Sequence, residues 1–179
     1  MFSYECAAKI ASLIVSQIAE SCERIEIVGS LRRGKPSVSD IDLIAIPKFQ
    51  LTTDDTLFGE PVKENLLDRK LSELCLETQL ILELNGAKIK RFLKPFGGVM
   101  VPVDLYMATA ATWWTLLLIR TGSREHNIRL ALRAQELHMQ LKADGTGLLS
   151  PGGSTIQIDS EQGIFNHLRW PFRDPKERS

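Results

Sequence analysis

Residues 27–43 read Ile27-Val28-Gly29-Ser30-Leu31-Arg32-Arg33-Gly34-Lys35-Pro36-Ser37-Val38-Ser39-Asp40-Ile41-Asp42-Leu43. Gly29-x-x-x-x-Gly34-Lys35 fills the first seven positions of a P-loop. The eighth should be Ser or Thr opening a helix, but it is Pro36, and the next element reads as a strand. That excludes a P-loop. The same residues suit another use. A Gly29-Ser30 turn after a strand lets backbone N–H groups and a hydroxyl approach phosphate oxygens closely. Arg32 and Arg33 add charge-assisted donors. Asp40 and Asp42 stand two apart on a strand expected over Ser39–Ile46, so both carboxylates share one face, about 7 Å apart. Like charges so placed repel unless a cation lies between them. All-oxygen ligands select a hard ion, magnesium or manganese. Two such ions ~3.5–4 Å apart can clamp the attacking and leaving oxygens of a phosphoryl transfer. A third carboxylate is needed for the nucleophile. Asp104 supplies it best, as an acid in the otherwise apolar strand 101–106; Asp54, Asp55 and Asp68 fall in a loop or on a helix surface.

Outward from this stretch, apolar residues at 7, 10, 11, 14 and 18 predict a helix over about 3–21, capped by Ser3. Residues 23–28 read as a strand, and 62–77 as a second amphipathic helix. Asn85-Gly86 joins strands at 78–84 and 87–94. Gly97-Gly98 then turns the chain into a strand over 99–106. Thr109 is expected to cap a helix from 110 to 120, and Ser123 another running to about 139. Residues 147–149 and 155–158 suggest a small strand pair. Asp159 or Ser160 caps a last helix, which Pro171 ends. The fold class is α+β: a mixed β-sheet with flanking helices over 1–120, then a small helix-plus-strand subdomain over 121–179.

With 179 residues, 44% hydrophobic and 25% charged, the composition is that of an ordinary globular protein. Twenty-two basic residues balance 22 acidic ones. The zero net charge hides an acidic stretch at 51–83 and basic ones at 86–98, 116–142 and 169–178, the pattern of a chain with one polyanion-facing side. Cys6, Cys22 and Cys75 show no CxxC spacing, which argues against a disulfide framework or structural zinc and for a reducing, cytoplasmic home. The longest uncharged run, 105–119, falls short of the ~20 residues that span a bilayer. Neither a membrane segment nor a signal peptide is expected. His126, His138 and His167 share no ligand spacing. One of Trp113 and Trp114 is expected in the core.

Gly-Ser-x-Arg-Arg-Gly followed by Asp-x-Asp resembles the nucleotidyltransferase superfamily of DNA polymerase beta. Thr121-Gly122-Ser123-Arg124-Glu125-His126-Asn127-Ile128-Arg129-Leu130 resembles the junction motif of the X-family DNA polymerases. Asp159-Ser160-Glu161-x-x-Ile164-Phe165 and Trp170-Pro171-Phe172-Arg173-Asp174-Pro175-Lys176-Glu177-Arg178 resemble that family's C-terminal motif. The resemblance implies a palm followed by a thumb-like subdomain that holds the nascent base pair and the DNA. It implies that Asp40 and Asp42 bind two magnesium ions, with manganese a possible substitute, and that Asp104 binds the ion activating the primer 3′-hydroxyl. Gly29, Ser30, Arg33 and the backbone near Ser39 would hold a nucleoside triphosphate. Gly122 would start a tight turn under the incoming sugar, often with a cis bond to Ser123. Asn127 would reach the minor-groove edge of the incoming base. Arg124, Arg129 and Arg133 are expected to meet DNA phosphates.

The resemblance has departures. The chain starts at the palm, so no lyase activity and a weak grip on DNA are expected. The family's aromatic pair before Thr-Gly is Ile119-Arg120 here, which implies loose sugar discrimination. The expected activity is a minimal template-directed DNA polymerase acting as a monomer at short gaps. Two alternatives stay open: a nucleotidyltransferase using a non-DNA acceptor (an RNA end, a protein or a small molecule), and a non-enzymatic DNA-end binder.

Overall fold

A computed structural model describes residues 1–52 and 62–179. Asp54 and Asp55, weighed above as carboxylate ligands, lie outside the described residues. A short strand β1 (Phe2–Ser3) leads straight into α1 (Tyr4–Ile18). The Ser3 hydroxyl accepts from the Cys6 N–H at 3.3 Å, capping the helix as expected. Ala7, Ile10, Ala11, Ile14 and Ile18 are all buried on its inner face, each isoleucine contributing roughly 2–3 kcal/mol. Next come β2 (Cys22–Ile27), the single helical turn α2 (Gly29–Arg32), β3 (Ser37–Val38), which pairs with β1, and β4 (Ile41–Pro47). An antiparallel pair, β5 (Phe49–Thr52) and β6 (Val62–Asn65), precedes α3 (Leu66–Leu76). Then β7 (Ile81–Asn85), β8 (Ile89–Phe96) and β9 (Val99–Met107) complete a five-stranded sheet in the order β2-β4-β9-β8-β7. The β4–β9 pair is parallel and the rest antiparallel. The mixed sheet and α+β class are those the sequence led us to expect.

Several boundaries differ from expectation for identifiable reasons. The helix expected from residue 62 begins at Leu66. Val62–Asn65 pairs with Phe49–Thr52 instead, and the Asn65 side chain caps α3 by accepting from the Leu67 and Asp68 N–H groups. Asp40 sits in a bend ahead of β4, so of the Asp-x-Asp pair only Asp42 lies in the strand. The Asn85-Gly86 turn is wider than two residues, since Asn85 pairs with Lys90. Thr109 and Thr112 bond to each other in a turn, and α4 (Trp113–Thr121) starts after it. Residues 155–158 form no strand; a bridge from Thr155 to Leu149 and the Ile156 N–H donating to the Leu148 carbonyl at 2.8 Å tie them to residues 148–149.

Helices α1 and α3 cover one face of the sheet, enclosing Ile41, Leu43, Phe92, Val103 and Leu105. On the opposite face, Trp113, Leu116 and Leu117 of α4 pack on Val28, Ile44 and Ala108. Trp113 is the core tryptophan; Trp114 is half-buried, and Arg24 lies over both rings. The far side of α4 carries Leu118 and Ile119 into a C-terminal core with α5 (Arg124–Glu136) and α6 (Glu161–His167), closed by the small pair β10 (Gln140–Leu141) and β11 (Leu148–Leu149). One helix thus belongs to two cores. Among the described residues no helix is long and apolar enough to cross a membrane, and all three cysteines are free thiols.

A polar knot joins the two cores. Arg32 of α2 donates to both Glu161 oxygens, at 2.9 and 2.6 Å, and to the Thr121 hydroxyl at 2.7 Å. Arg178, wholly buried, donates to the same glutamate. Burial alone would raise the Glu161 pKa, but the bonds from Arg32 and Arg178 hold it below the ordinary 4.5. Its stabilising contribution is present above pH 4.5 and is lost as pH falls through the lowered value. Glu161→Ala leaves a buried guanidinium unpaired and should cost about 3–5 kcal/mol in urea unfolding at pH 7. A loss below about 1 kcal/mol would show that the knot behaves as a solvated pair.

Candidate active site

The parallel register of β4 and β9 sets Asp42 directly beside Asp104. Both point away from α1 and α3, because Ile41 and Leu43 on one strand and Val103 and Leu105 on the other fill the covered face. Asp40 lies just before the strand, its carboxylate accepting from the Ser39 hydroxyl at 2.7 Å. Burial first, then the Asp40 and Asp104 charges, push the Asp42 carboxyl up to about 7; Arg120 and Arg33 only partly offset them. The three carboxylates therefore feel one another's charge, and the ionised form of Asp42 is disfavoured.

Gly29 opens α2 against this cluster. Its φ is +62°, and a Cβ there would overlap the Asp42 carboxylate. The residue must be glycine for two reasons at once, backbone conformation and space. From the same turn Arg33 reaches across to donate to the Thr121 carbonyl at 2.6 Å. Burial lowers its pKa, with Asp42 and Asp40 opposing. Ser30 Oγ and Arg33 Nε are buried with no hydrogen-bond partner among the described residues. On the facing wall the same holds for Asn127 Oδ1 and Arg120 Nε. Buried polar atoms are rarely left so. Arg120 lines the cleft beside Asp104, and Arg33 and Asn127 both bond to carbonyls at the end of α4, so three of these residues gather about residues 119–121.

Gly122 lies at the end of α4, where a Cβ would overlap the Asn127 side chain. Among the described residues no peptide bond is cis, so the Gly122–Ser123 bond expected to be cis is trans. Asn127 donates to the Ile119 carbonyl at 2.8 Å, and Ser123 caps α5 by accepting from the His126 N–H at 3.1 Å. Arg120 lies over the Tyr106 ring, 4.0 Å from its centre. It thereby faces the carboxylate cluster.

Residues that the sequence did not single out complete the site. Arg91 of β8 donates from Nε to Asp104 Oδ1 at 2.6 Å and from Nη2 to Oδ2 at 2.9 Å. The Tyr106 hydroxyl donates to Oδ2 at 3.3 Å. Burial and the nearby Asp42 push that phenol up to about 12. A cleft of about 820 Å³ opens on the Asp104 side, with Lys63, Lys88, Arg91, Tyr106 and Arg120 in its walls. As the side chains stand, no group of three or more His, Cys, Asp or Glu converges to hold a metal ion among the described residues. The donor set still fits a hard divalent cation by its chemistry: all ligands are oxygens, and burial and mutual repulsion leave Asp42 short of positive charge.

The basic residues expected to meet DNA divide. Arg124 and Arg129 are exposed on α5, Arg129 donating to the Ser179 carbonyl at 3.1 Å. Arg133 is committed within the fold, to the Leu168 carbonyl at 2.9 Å and Glu136 at 2.7 Å. The tail adds Arg169 and Trp170, which line a shallow depression with Arg129 and Arg133. His126 is buried beside Phe165 and takes no part in the cluster.

Residues 116–179 match the family model described as DNA polymerase beta thumb. The match runs from within α4 to the last residue, covering the whole C-terminal core. It supports a relationship of this chain to the polymerase beta-like, X-family proteins.

Gly29→Ala should destabilise the fold by about 2 kcal/mol or more, from the left-handed backbone and the overlap with Asp42. A neutral urea midpoint would mean that α2 stands clear of the carboxylate. A second expectation concerns acid stability. Burial, then Arg178, Arg129 and Arg173, lower the His126 pKa from 6.5 to about 4. The unfolded chain binds this proton first, so stability falls as pH drops from 6.5 towards 4, by up to ~3 kcal/mol. His126→Gln should flatten the fall in melting temperature over that window. An unchanged slope would assign the acid sensitivity elsewhere.

Proposed function

We propose that this chain is a nucleotidyltransferase of the polymerase beta type, a template-directed DNA polymerase that extends a DNA 3′-end at short gaps and releases pyrophosphate. The observation that carries the reading is the in-register placement of Asp42 beside Asp104, with the Asp40 charge felt at Asp42, in a chain whose residues 116–179 match the thumb model. Residues 1–120 would form the catalytic part and 121–179 the part that holds the base pair.

Asp40, Asp42 and Asp104 would hold two magnesium ions. When bound, the ions supply Lewis-acid polarisation of the phosphate and stabilise charge on the attacking and leaving oxygens. The chain's own groups do the rest. The Gly29-Ser30 turn and Arg33 orient the triphosphate, Ser30 Oγ and Arg33 Nε being left without a hydrogen-bond partner among the described residues. Gly122, without a Cβ, lets the Asn127 side chain lie close against the turn that would receive the incoming sugar. Asn127 would exchange its bond to the Ile119 carbonyl for one to the base edge. Asp104, once parted from Arg91, would help to take the proton of the acceptor hydroxyl. Arg124 and Arg129, exposed on α5, would meet backbone phosphates.

The test is incorporation of each labelled deoxynucleotide on gapped, recessed and single-stranded DNA with magnesium or manganese. Template-matched extension is the expected result. Asp42→Asn and Asp104→Asn should each lower the rate at least ~10³-fold. Near-normal turnover in either variant would refute the assignment. Untemplated transfer would move the reading to a non-DNA acceptor, and tight binding without turnover to a DNA-end binder.

A further inference from the structure

We infer that Arg91 is a resident counter-ion of Asp104 which a divalent cation has to displace, so that this arginine gates the loading of the carboxylate cluster. The inference rests on the carboxylates being an ion site, as proposed above. Arg91 and Asp104 are directly opposed on β8 and β9. The contact is a two-bond fork, 2.6 Å from Nε to Oδ1 and 2.9 Å from Nη2 to Oδ2, so both carboxylate oxygens are engaged. Tyr106 adds a third donor to Oδ2 at 3.3 Å. An incoming cation meets both a blocked ligand and a positive charge. Asp42 stands in register beside Asp104 on the next strand, so the ligand that the fork blocks is the neighbour of the other strand-borne carboxylate.

The pair is also built to open. The Arg91 side chain is 48% exposed and that of Asp104 only 13%, so the arginine can swing out while the aspartate stays in place. Arg91 lies in the wall of the 820 Å³ cleft beside Lys63 and Lys88, where a phosphate-bearing acceptor would give it a second partner. An ion that needs Asp104 then binds with an affinity reduced by the fraction of time the fork is broken. A half-exposed fork is strong enough to hold that fraction to roughly a third to a tenth.

Titration of the full chain with Mn²⁺ alone, without nucleotide or DNA, tests this through loss of the free-ion electron paramagnetic resonance signal. Arg91→Gln should bind Mn²⁺ roughly three- to ten-fold tighter than the unaltered chain. Arg91→Lys, which keeps the charge but cannot form the fork, should show part of that gain. Lys88→Gln, which removes one charge from the same cleft, should show little. Adding Asp104→Asn to Arg91→Gln should abolish the gain. Equal affinity in Arg91→Gln and the unaltered chain, with binding still lost in Asp104→Asn, would overturn the gate and leave the ion site standing. Gains of the same size in Arg91→Gln and Lys88→Gln, with none in Arg91→Lys, would reduce the effect to net charge and also overturn it. Binding unaffected by Asp104→Asn in every background would overturn the ion site itself. Melting curves establish that each variant is folded, and should Arg91→Gln not fold, Arg91→Lys carries the comparison.

Discussion

Asp42 and Asp104 are forced side by side by the register of two parallel strands, with Asp40 at the entry to one of them. Burial and mutual repulsion push the Asp42 carboxyl up to about 7. Positive charge approaches this cluster from three separate elements: Arg33 from the turn after β2, Arg120 from the end of α4 and Arg91 from β8. The sheet register is what makes the arrangement possible. A slip of one residue between β4 and β9 would bury Asp104 beneath α1 and α3 and expose Val103 or Leu105. The apolar residues alternating with the acids resist that slip, so the same pattern that builds the core also aims the carboxylates.

The turn from Gly29 to Arg33 connects chemistry to architecture. Its first residue lies against Asp42, and its two arginines cross to the C-terminal core, Arg32 to Glu161 and Thr121, and Arg33 to the Thr121 carbonyl. Buried Arg178 fastens the far end of the chain to the same glutamate, and its carbonyl accepts from the Ser123 N–H at 2.9 Å. The phosphate-suited turn, the Thr121–Ser123 junction and the C-terminus are therefore a single hydrogen-bonded unit. Ser30 Oγ, Arg33 Nε and Asn127 Oδ1 are left buried without a hydrogen-bond partner among the described residues of that unit. Arg133 illustrates the limit of reading charge from sequence. It shares a helix face with Arg129, yet its guanidinium is used to tie α5 to the end of α6.

Much was legible in the chain itself, for local reasons. Helical spacing placed α1 and a serine cap placed the start of α5, while alternation placed the strand of Asp42 and the Gly97-Gly98 turn that of Asp104. Pro36 ruled out a P-loop because a proline cannot stand where a hydroxyl ligand is required. Even Arg91 was within reach: a two-residue turn at Gly97-Gly98 pairs Phe96 with Val99, and the same register brings Arg91 opposite Asp104. What the sequence could not decide were contacts between elements distant in the chain. The β5–β6 pairing took over residues that read as helix, because a strand partner outweighs helical periodicity over four residues. The parallel neighbours β4 and β9, the glutamate shared by Arg32 and Arg178, and the turn of Arg120 onto Tyr106 exist only once the sheet and helices pack. Periodicity and capping act over a few residues and leave their mark on the sequence. Ion pairing and burial join residues far apart in the chain, and only the folded chain sets which of them meet.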